Sequence, residues 1–231
     1  MSEDSSPLRN PHGHREALMA KLNLGLPVGF LAPFSRWRRR QIADRFLAMM
    51  SPIPPLATLL DVGGPGMVTM LVAGHFQKVI VANLTEEALA PSHIAASDSF
   101  DEALGDGCAL PFRENSVDFV FSDQVIEHVS EEKRERFVRE IRRVARAGFL
   151  IATPNYWFPF EPHYHMPLFQ FLPETAKERL LRVARFGFVA DANETIKLLS
   201  RRDLQRLAPD ATVTGIGFTP FPETLLAWWR R

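Results

Sequence analysis

Short apolar runs alternate with segments of helical periodicity through the middle of this chain. The runs are residues 59–62, 79–82, 118–121 and 149–152, and helical patterns lie at 67–76 and 131–146. Apolar runs of this length are typical of strands that are buried on both faces. Such strands belong to parallel sheets that carry helices on each side. We therefore predict an α/β fold built on a mostly parallel sheet.

The two ends of the chain differ from this middle part. Residues 1–34 are rich in Ser, Pro, Gly and Asn, which predicts a flexible N-terminal arm or lid. Ser35 is a candidate N-cap for a helix that runs to Met50. Residues 211–218 and 223–229 predict an antiparallel strand pair at one edge of the sheet. We expect residues 35–231 to form a single domain, with an aromatic insertion at about 155–185.

Composition and charge exclude several classes of protein. The 27 Lys and Arg residues balance 27 Asp and Glu residues, which disfavours binding of nucleic acid through its phosphates. Cys108 is the only cysteine, so a disulfide scaffold is excluded. No apolar run reaches the roughly 20 residues that span a bilayer, and residues 1–15 lack the apolar core of a signal peptide. We expect a cytoplasmic protein without a transmembrane segment.

A glycine-rich turn follows the first predicted strand. Asp61, Gly63, Gly64 and Gly66 lie between this strand and the next helix. Glycines allow a tight turn and let a ligand approach the main chain, while a helix N-terminus adds positive potential. Asn83 ends the second strand, where a nucleotide-binding sheet contacts the ribose. These positions predict a nucleotide-like ligand at the carboxyl ends of the strands.

Four segments, in the same order, resemble the class I S-adenosylmethionine-dependent methyltransferases. They are residues 59–66, 79–84, 105–112, and 116–122 together with 125–129. The last two blocks, Gly-Asp-Gly-Cys-Ala-Leu-Pro-Phe and the run that ends in Val-Ile-Glu-His-Val, are the most specific. The resemblance implies a Rossmann-like seven-stranded sheet, mostly parallel with an antiparallel C-terminal strand and with helices on both faces. It also implies that S-adenosylmethionine is the cofactor.

The same resemblance implies which residues hold this cofactor. Asp61 and the glycines are expected at its methionine portion, Asn83 at the ribose, and Asp106 at the adenine amino group. The full set is Asp61, Gly63, Gly64, Gly66, Asn83, Asp106, Gly107, Cys108 and Ser122. Ser122, at the end of the fourth strand, is expected to face the reaction centre. Cys108 is expected to be a small residue near the adenine and not a nucleophile.

Two positions depart from the family pattern. The glycines after Asp61 are shifted by one residue, and Asn83 stands where the family usually has a carboxylate. A carboxylate binds ribose hydroxyls more strongly than an amide does, because its hydrogen bonds are charge-assisted. The departures leave open a non-catalytic, cofactor-binding regulatory protein as an alternative to an enzyme.

Candidate catalytic residues follow the fifth predicted strand. Glu161, His163 and His165 alternate, and in an extended segment such positions project to the same side. One carboxylate and two imidazoles form a base with its orienting group, or part of a metal site. His128 is a further candidate base. Asp123, Glu161 and His163 are candidate ligands of a divalent metal such as Mg²⁺.

An aromatic segment interrupted by prolines surrounds these candidates. It contains Trp157, Phe158, Phe160, Tyr164, Phe169, Phe171 and Leu172. Aromatic faces stack on sugar rings and shield a pocket from water. The segment is similar to methyltransferases found among bacterial glycan- and lipid-tailoring enzymes.

We predict an O-methyltransferase for a hydroxyl on a small acceptor. The expected acceptor is a sugar or oligosaccharide, such as a precursor in polysaccharide biosynthesis. A quinone, polyketide or lipid-linked acceptor is the alternative. Nucleic-acid methylation is disfavoured by the zero net charge. A monomer and a homodimer both remain open.

Overall fold

The structure is a computed structural model, and it describes residues 22–23, 28–64, 67–86, 100–185, 196–217 and 220–231 of the chain. The chain divides into two compact units. The first, called here the sheet unit, comprises Leu31–Pro159 and Thr195–Arg231. The second, called the hairpin unit, comprises Met1–Phe30 and Phe160–Glu194.

The described elements follow one another along the chain as strands and helices of very different lengths. In chain order they are β1 (Leu22–Asn23), α1 (Val28–Met50), β2 (Thr58–Val62), α2 (Thr69–Val72), β3 (Lys78–Asn83), β4 (Phe100–Leu104), β5 (Val117–Asp123), α3 (Glu131–Val144), β6 (Ala145–Pro154), β7 (Phe160–Glu161), β8 (Met166–Pro167), α4 (Glu174–Val183), β9 (Ala184–Arg185), α5 (Arg201–Leu207), β10 (Thr212–Ile216) and β11 (Thr224–Arg230). Short 3₁₀ turns lie at Ala73–His75 and Phe169–Phe171.

The sheet unit is built on a seven-stranded sheet with the order β10-β11-β6-β5-β2-β3-β4. The pairs within β6-β5-β2-β3-β4 are parallel, whereas β11 runs antiparallel to both β6 and β10. This topology confirms the predicted mostly parallel sheet with an antiparallel C-terminal strand. The carboxyl ends of β2, β3, β5 and β6 therefore meet at one edge, called here the carboxyl edge.

Both faces of the sheet are covered, because successive strand residues point to opposite sides. Leu60 and Val62 of β2 belong to the core cluster that contains Phe137 and Ile141 of α3. Leu59 belongs to the opposite cluster, together with Ile42, Phe46 and Met50 of α1. Several of the phenylalanine side chains pack in these two clusters. For example, the ring centroids of Phe46 and Phe121 are 5.3 Å apart, edge to face. The prediction of helices on both faces is confirmed.

Helix α1 begins earlier than the sequence predicts. The expected start at Ser35 rested on its side chain as a candidate N-cap, and a proline such as Pro33 is disfavoured inside a helix because it lacks an N–H. The structure instead carries the helix through Pro33 from Val28, and the predicted start at Ser35 is wrong. Most of the predicted arm, residues 1–21 and 24–27, lies outside the described residues.

The hairpin unit takes its name from β7 and β8, which pair antiparallel across a turn at residues 162–165. Tyr164 and Phe169 are both buried beside this turn, with ring centroids 4.1 Å apart. In the same unit β1 pairs in parallel with β9. Within the described parts of the chain, no helix is both long enough and apolar enough to cross a bilayer.

Candidate functional site

Asp61 presents a buried carboxylate at the carboxyl end of β2. Its Oδ2 accepts a hydrogen bond from Thr69 Oγ1 at 2.6 Å. Its Oδ1 is buried and has no hydrogen-bond partner among the described residues. Burial raises the pKa of Asp61 to about 7, although the Thr69 bond acts in the opposite direction. A buried acceptor without a donor is costly, and an external cation or N–H group would relieve that cost.

The turn after β2 packs closely against its surroundings and requires glycine at two positions. Gly63 has a φ of +73°, which favours glycine, and its N–H donates to the carbonyl of Ala82 at 2.7 Å. A Cβ at Gly63 would lie 2.8 Å from Val125 Cγ1, and a Cβ at Gly64 would lie 2.8 Å from Asp61 Oδ1. Both distances are too short for a side chain, so close packing and backbone conformation explain these glycines. The predicted site residue Gly66 lies outside the described residues.

Asn83 and Asp106 follow the next two strands at the same edge. Asn83 ends β3 and is paired in register with Leu104 of β4. The Oδ1 of Asn83 accepts the N–H of Leu84 at 3.1 Å. The Oδ1 of Asp106 accepts the N–H of Cys108 at 2.8 Å, so this carboxylate shapes its own loop. The polar side chains expected at the ribose and the adenine thus lie after neighbouring strands.

Gly107 and Cys108 close this loop against the core. A Cβ at Gly107 would lie 2.5 Å from Phe137 Cε2, so a larger residue does not fit. Cys108 is 6% exposed, and its Sγ lies 3.8 Å from the carbonyl of Lys133, to which it donates. Burial raises the pKa of the Cys108 thiol, with a further contribution from Asp106. The thiol stays protonated near neutral pH, which agrees with a packing role.

Ser122 and Asp123 are the last two residues of β5, and they differ in their hydrogen bonding. Ser122 is fully buried, and its Oγ donates to the carbonyl of Val62 at 3.0 Å, which ties β5 to β2. Asp123 is also buried, and its Oδ1 has no hydrogen-bond partner in the described part of the chain. Burial raises the pKa of Asp123, while Arg38 and Arg39 act to lower it. Open carboxylate oxygens therefore end the neighbouring strands β2 and β5.

Arg38 of α1 is a buried cation that the sequence analysis missed. Its Nη2 donates to Gln124 Oε1 at 3.1 Å, and its Nε lies 3.8 Å from Glu223 Oε1. Its Nη1 is buried without a hydrogen-bond partner among the residues described. Arg38 stands in a run of arginines, but it precedes the buried Ile42 by one helical turn. That spacing is the signal that could have found it.

The buried groups at the carboxyl edge have complementary charges. Asp61 and Asp123 offer acceptor oxygens, and Arg38 offers a donor, all without partners among the described residues. An amino-acid group carries both an ammonium and a carboxylate, and it matches this set in charge and hydrogen bonding.

A second polar group lies in the turn of the hairpin unit. Glu161 is 2% exposed; its Oε1 lies 2.8 Å from His163 Nδ1, and its Oε2 accepts the N–H of Tyr164 at 2.7 Å. When Nδ1 carries the proton and donates to Glu161, Nε2 is the basic nitrogen of the ring. The pair has the geometry of a base held by a carboxylate.

The remaining predicted catalytic residues differ in their surroundings. His165 is buried in the hairpin unit at a φ of +52°, so the expected extended segment is wrong and the residues lie in a turn. His128 is exposed in the sheet unit, where its N–H donates to the carbonyl of Val125 at 2.9 Å. Glu127, a residue the prediction omitted, is fully buried and accepts from Thr153 Oγ1 at 2.9 Å.

Comparisons with known proteins agree with this fold. A family model described as a methyltransferase domain matches residues 60–152. An uncharacterized methyltransferase of Mycobacterium marinum is 31% identical over 214 residues, which cover 88% of this chain and 80% of that protein. The malonyl-[acyl-carrier protein] O-methyltransferase of Methylococcus capsulatus is 31% identical over 131 residues. That match covers 51% of this chain and 44% of the relative, so it spans less than half of that enzyme.

A solved structure extends the similarity over most of the chain. The S-adenosylmethionine-dependent methyltransferase from Mesorhizobium loti superposes with a TM-score of 0.55 and 16% sequence identity. The superposition covers 82% of this chain and 98% of that one. At this level of identity, the similarity shows a common fold.

Proposed function

Because this chain belongs to the methyltransferase family and is an S-adenosylmethionine-dependent enzyme, we propose that it methylates a hydroxyl group on a sugar or oligosaccharide. The observation that carries the proposal is the hydrogen bond between Glu161 and His163. An alcohol is too weak an acid to ionise unaided, so a hydroxyl acceptor requires a base. An amine acceptor would need no such pair.

The buried groups at the carboxyl edge support a site for the cofactor. Bound S-adenosylmethionine supplies an activated methyl group on a sulfonium. Asp61 and Asp123 are proposed to accept hydrogen bonds from its ammonium, and Arg38 to donate to its carboxylate. The methionine portion is proposed to lie along the main chain of the turn at Gly63 and Gly64. The predicted contacts of Asn83 with the ribose and of Asp106 with the adenine complete the proposed site.

His163 is proposed to act as the general base. Its Nε2 takes the hydroxyl proton as the acceptor oxygen bonds to the methyl carbon. The bound cofactor would supply the methyl group, and its sulfur would keep the electron pair of the carbon–sulfur bond. Glu161 holds the ring through Nδ1 and stabilises the imidazolium that forms, as the carboxylate of a catalytic triad does. His165 and His128 remain the other candidate bases.

An acceptor panel with a labelled methyl donor tests the proposal. We expect turnover on glycosides, and we expect His163→Ala to lower the single-turnover rate about 100-fold, as the loss of a general base does. Binding of S-adenosylhomocysteine should remain in this variant. Glu161→Gln should give a smaller loss, because the amide still orients the ring but cannot stabilise its charge. If the single-turnover rate is unchanged in His163→Ala, His163 is not the base, and His165 or His128 takes that role.

An apolar acceptor is the second candidate. Leu168 and Phe171 of the hairpin unit are 55% and 40% exposed, and such side chains could cover a quinone, polyketide or lipid-linked substrate. The partial match to a malonyl-[acyl-carrier protein] O-methyltransferase is compatible with this class. Turnover on lipid phenols, with none on any glycoside, would replace the sugar proposal.

Metal dependence is a separate prediction that the same assay can test. If a divalent ion takes part, EDTA should abolish turnover and Mg²⁺ should restore it. Turnover that is unchanged by the chelator would mean that the base removes the proton without a divalent ion.

A further inference from the structure

A groove separate from the proposed cofactor residues opens in the sheet unit beside α5. Its volume is about 660 Å³, and it is lined by Trp157, Ser200, Arg201, Arg202, Gln205 and Arg206. We call it the arginine groove. Ligand sites typically have volumes of about 300–1,000 Å³, so the groove can hold a small molecule.

The walls of the arginine groove are held by backbone hydrogen bonds. On one side, Tyr156 N–H donates to the carbonyl of Leu199 at 3.0 Å, and Trp157 N–H donates to Asn155 Oδ1 at 3.2 Å. On the other side, Ser200 caps α5 and forms a capping box with Asp203. A site fixed before binding loses little entropy when the ligand arrives.

The groove concentrates positive charge in a chain whose net charge is zero. Arg201 Nη1 donates to the carbonyl of Val213 at 2.6 Å, which holds its guanidinium in place. Arg206 makes only a long ion pair, 3.7 Å, with Asp203, and its side chain is 78% exposed. Arg202 is exposed. The arginines outnumber the carboxylate on this helix, so the groove attracts anions.

Trp157 adds an aromatic face to this cationic surface. The residue is 54% exposed, although indole rings are usually largely buried. It follows β6 at the carboxyl edge, the edge at which ligands bind in open α/β sheets. Guanidinium groups bind phosphate through paired hydrogen bonds, and an indole face stacks on a ring. The two features together fit a ligand that carries both a ring and a phosphate.

We infer that the arginine groove binds the phosphate of a phosphorylated sugar, with a ring of that ligand on Trp157. This inference rests on the proposed sugar acceptor and narrows it to a sugar phosphate or a nucleoside diphosphate sugar. A neutral glycoside has no negative charge that could pair with the three arginines. The reaction that supplies the acceptor would then be a phosphoryl transfer to the sugar or, for a nucleoside diphosphate sugar, a nucleotidyl transfer to a sugar phosphate.

Binding measurements on the full chain without a methyl donor test the groove separately from catalysis. The probes are UDP-glucose, glucose 1-phosphate, pyrophosphate and glucose, studied by calorimetry. We expect at least one phosphorylated sugar to bind more tightly than pyrophosphate, and glucose not to bind. Arg202→Ala should weaken that binding about tenfold, as the loss of a charge-assisted hydrogen bond does. Comparing UDP-glucose with glucose 1-phosphate shows whether the groove prefers a nucleoside diphosphate sugar or a sugar phosphate.

Matched variants separate the groove from general surface charge. Arg139 is an exposed arginine on α3, and Arg139→Ala should leave binding unchanged. Trp157→Ala should weaken binding of the phosphorylated sugar but not binding of pyrophosphate. Trp157→Phe should retain most of the wild-type affinity for the phosphorylated sugar. Equal losses in the Arg202 and Arg139 variants, or no preference over pyrophosphate, would overturn the inference. So would salt-dependent binding of tRNA that is tighter than that of every sugar probe.

The two proposals fail in different ways. If a phosphorylated sugar binds in the groove but no glycoside or sugar phosphate is methylated, the proposed function fails and the inference that the arginine groove binds phosphate stands. If neutral glycosides are methylated and the groove variants are fully active, the groove inference fails and the proposed function stands.

Discussion

At the scale of single residues, the carboxyl edge is defined by polar atoms that have lost water without gaining a partner. Asp61 Oδ1, Asp123 Oδ1 and Arg38 Nη1 are all of this kind within the described chain. Such atoms cost free energy in the unliganded protein, and a ligand that satisfies them recovers it. The same atoms should therefore affect both stability and cofactor affinity.

Asp61 should make the stability of the cofactor-free protein depend on pH. Its pKa is about 7 in the folded protein and near the ordinary 3.8 when unfolded, so the folded state binds the proton more tightly. That contribution is lost as the pH rises through 7. We expect Asp61 to lower the free energy of unfolding by about 1 kcal/mol between pH 6 and pH 8.

Urea denaturation of the wild-type and Asp61→Asn proteins at both pH values measures this contribution. The amide does not titrate, so the variant should show a smaller pH dependence. Asp123 is present in both proteins, and its negative charge contributes to the raised pKa of Asp61, so the comparison measures Asp61 together with this coupling. Identical pH dependence in the two proteins would contradict a raised pKa at Asp61.

Asp106 offers a second prediction, on cofactor affinity. Asp106→Ala should weaken binding of S-adenosylhomocysteine about tenfold in calorimetry, as the loss of one charge-assisted acceptor does. Asp106→Asn keeps an oxygen for the N–H of Cys108 but replaces the other oxygen with a donor. If Asp106 contacts the adenine amino group, the two variants should be similarly weak. Wild-type affinity in Asp106→Asn would limit the role of Asp106 to shaping its loop.

The residue positions that the sequence revealed are those that follow strand ends. Asp61 and Asn83 could be placed because apolar runs mark where their strands stop, whereas Asp106 was placed by the family resemblance. Arg38 was missed, because a run of arginines hides which one points inward unless its spacing from Ile42 is considered. The packing of α1 against the sheet, through Ile42 and Phe46, gives the inward face directly.

At the scale of elements, the apolar runs predict the buried parallel strands of the sheet, whereas short and edge elements lack such a signal. β4 lies at the end of the sheet, and its residues are partly or fully exposed, so it lacks an apolar run. The turn after β7 also escaped prediction. Its alternating residues fit a strand equally well, and the turn depends on Glu161 accepting from the N–H of Tyr164.

Helix α3 and the loop after β4 should be coupled through Gly107. A methyl group at this position would lie 2.5 Å from the buried ring of Phe137. We expect Gly107→Ala to lower the free energy of unfolding by about 1–3 kcal/mol, the usual cost of overpacking a core. Chemical denaturation measures this loss.

A double variant and a control test the mechanism of that loss. Phe137→Leu in the Gly107→Ala background should recover part of the stability, so the two substitutions should be non-additive. Gly74→Ala is the control, because a Cβ there meets no atom within 4 Å. Additive effects of the two substitutions would argue against contact between Gly107 and Phe137.

At the scale of the whole molecule, the proposed cofactor site is assembled from α1, β2, β3 and β5, which are distant in sequence. A ligand that binds only the folded arrangement raises its stability by mass action. S-adenosylhomocysteine at about 100 times its dissociation constant should add about 2.7 kcal/mol, visible as a higher thermal midpoint. Asp106→Ala at the same ligand concentration should show a smaller rise. No shift in the wild-type protein would contradict cofactor binding at this edge.

The antiparallel strand β11 has a consequence for how acceptor choice can change. Because β11 is reversed, it begins where β6 ends, with Thr224 opposite Pro154. The turn before it therefore lies at the carboxyl edge, where Glu223 approaches Arg38 and Pro222 accepts from Asn155. Every parallel strand already contributes a loop there, and the reversal contributes one more. Protein engineers can vary this turn as a module, leaving the glycine turn after β2 untouched.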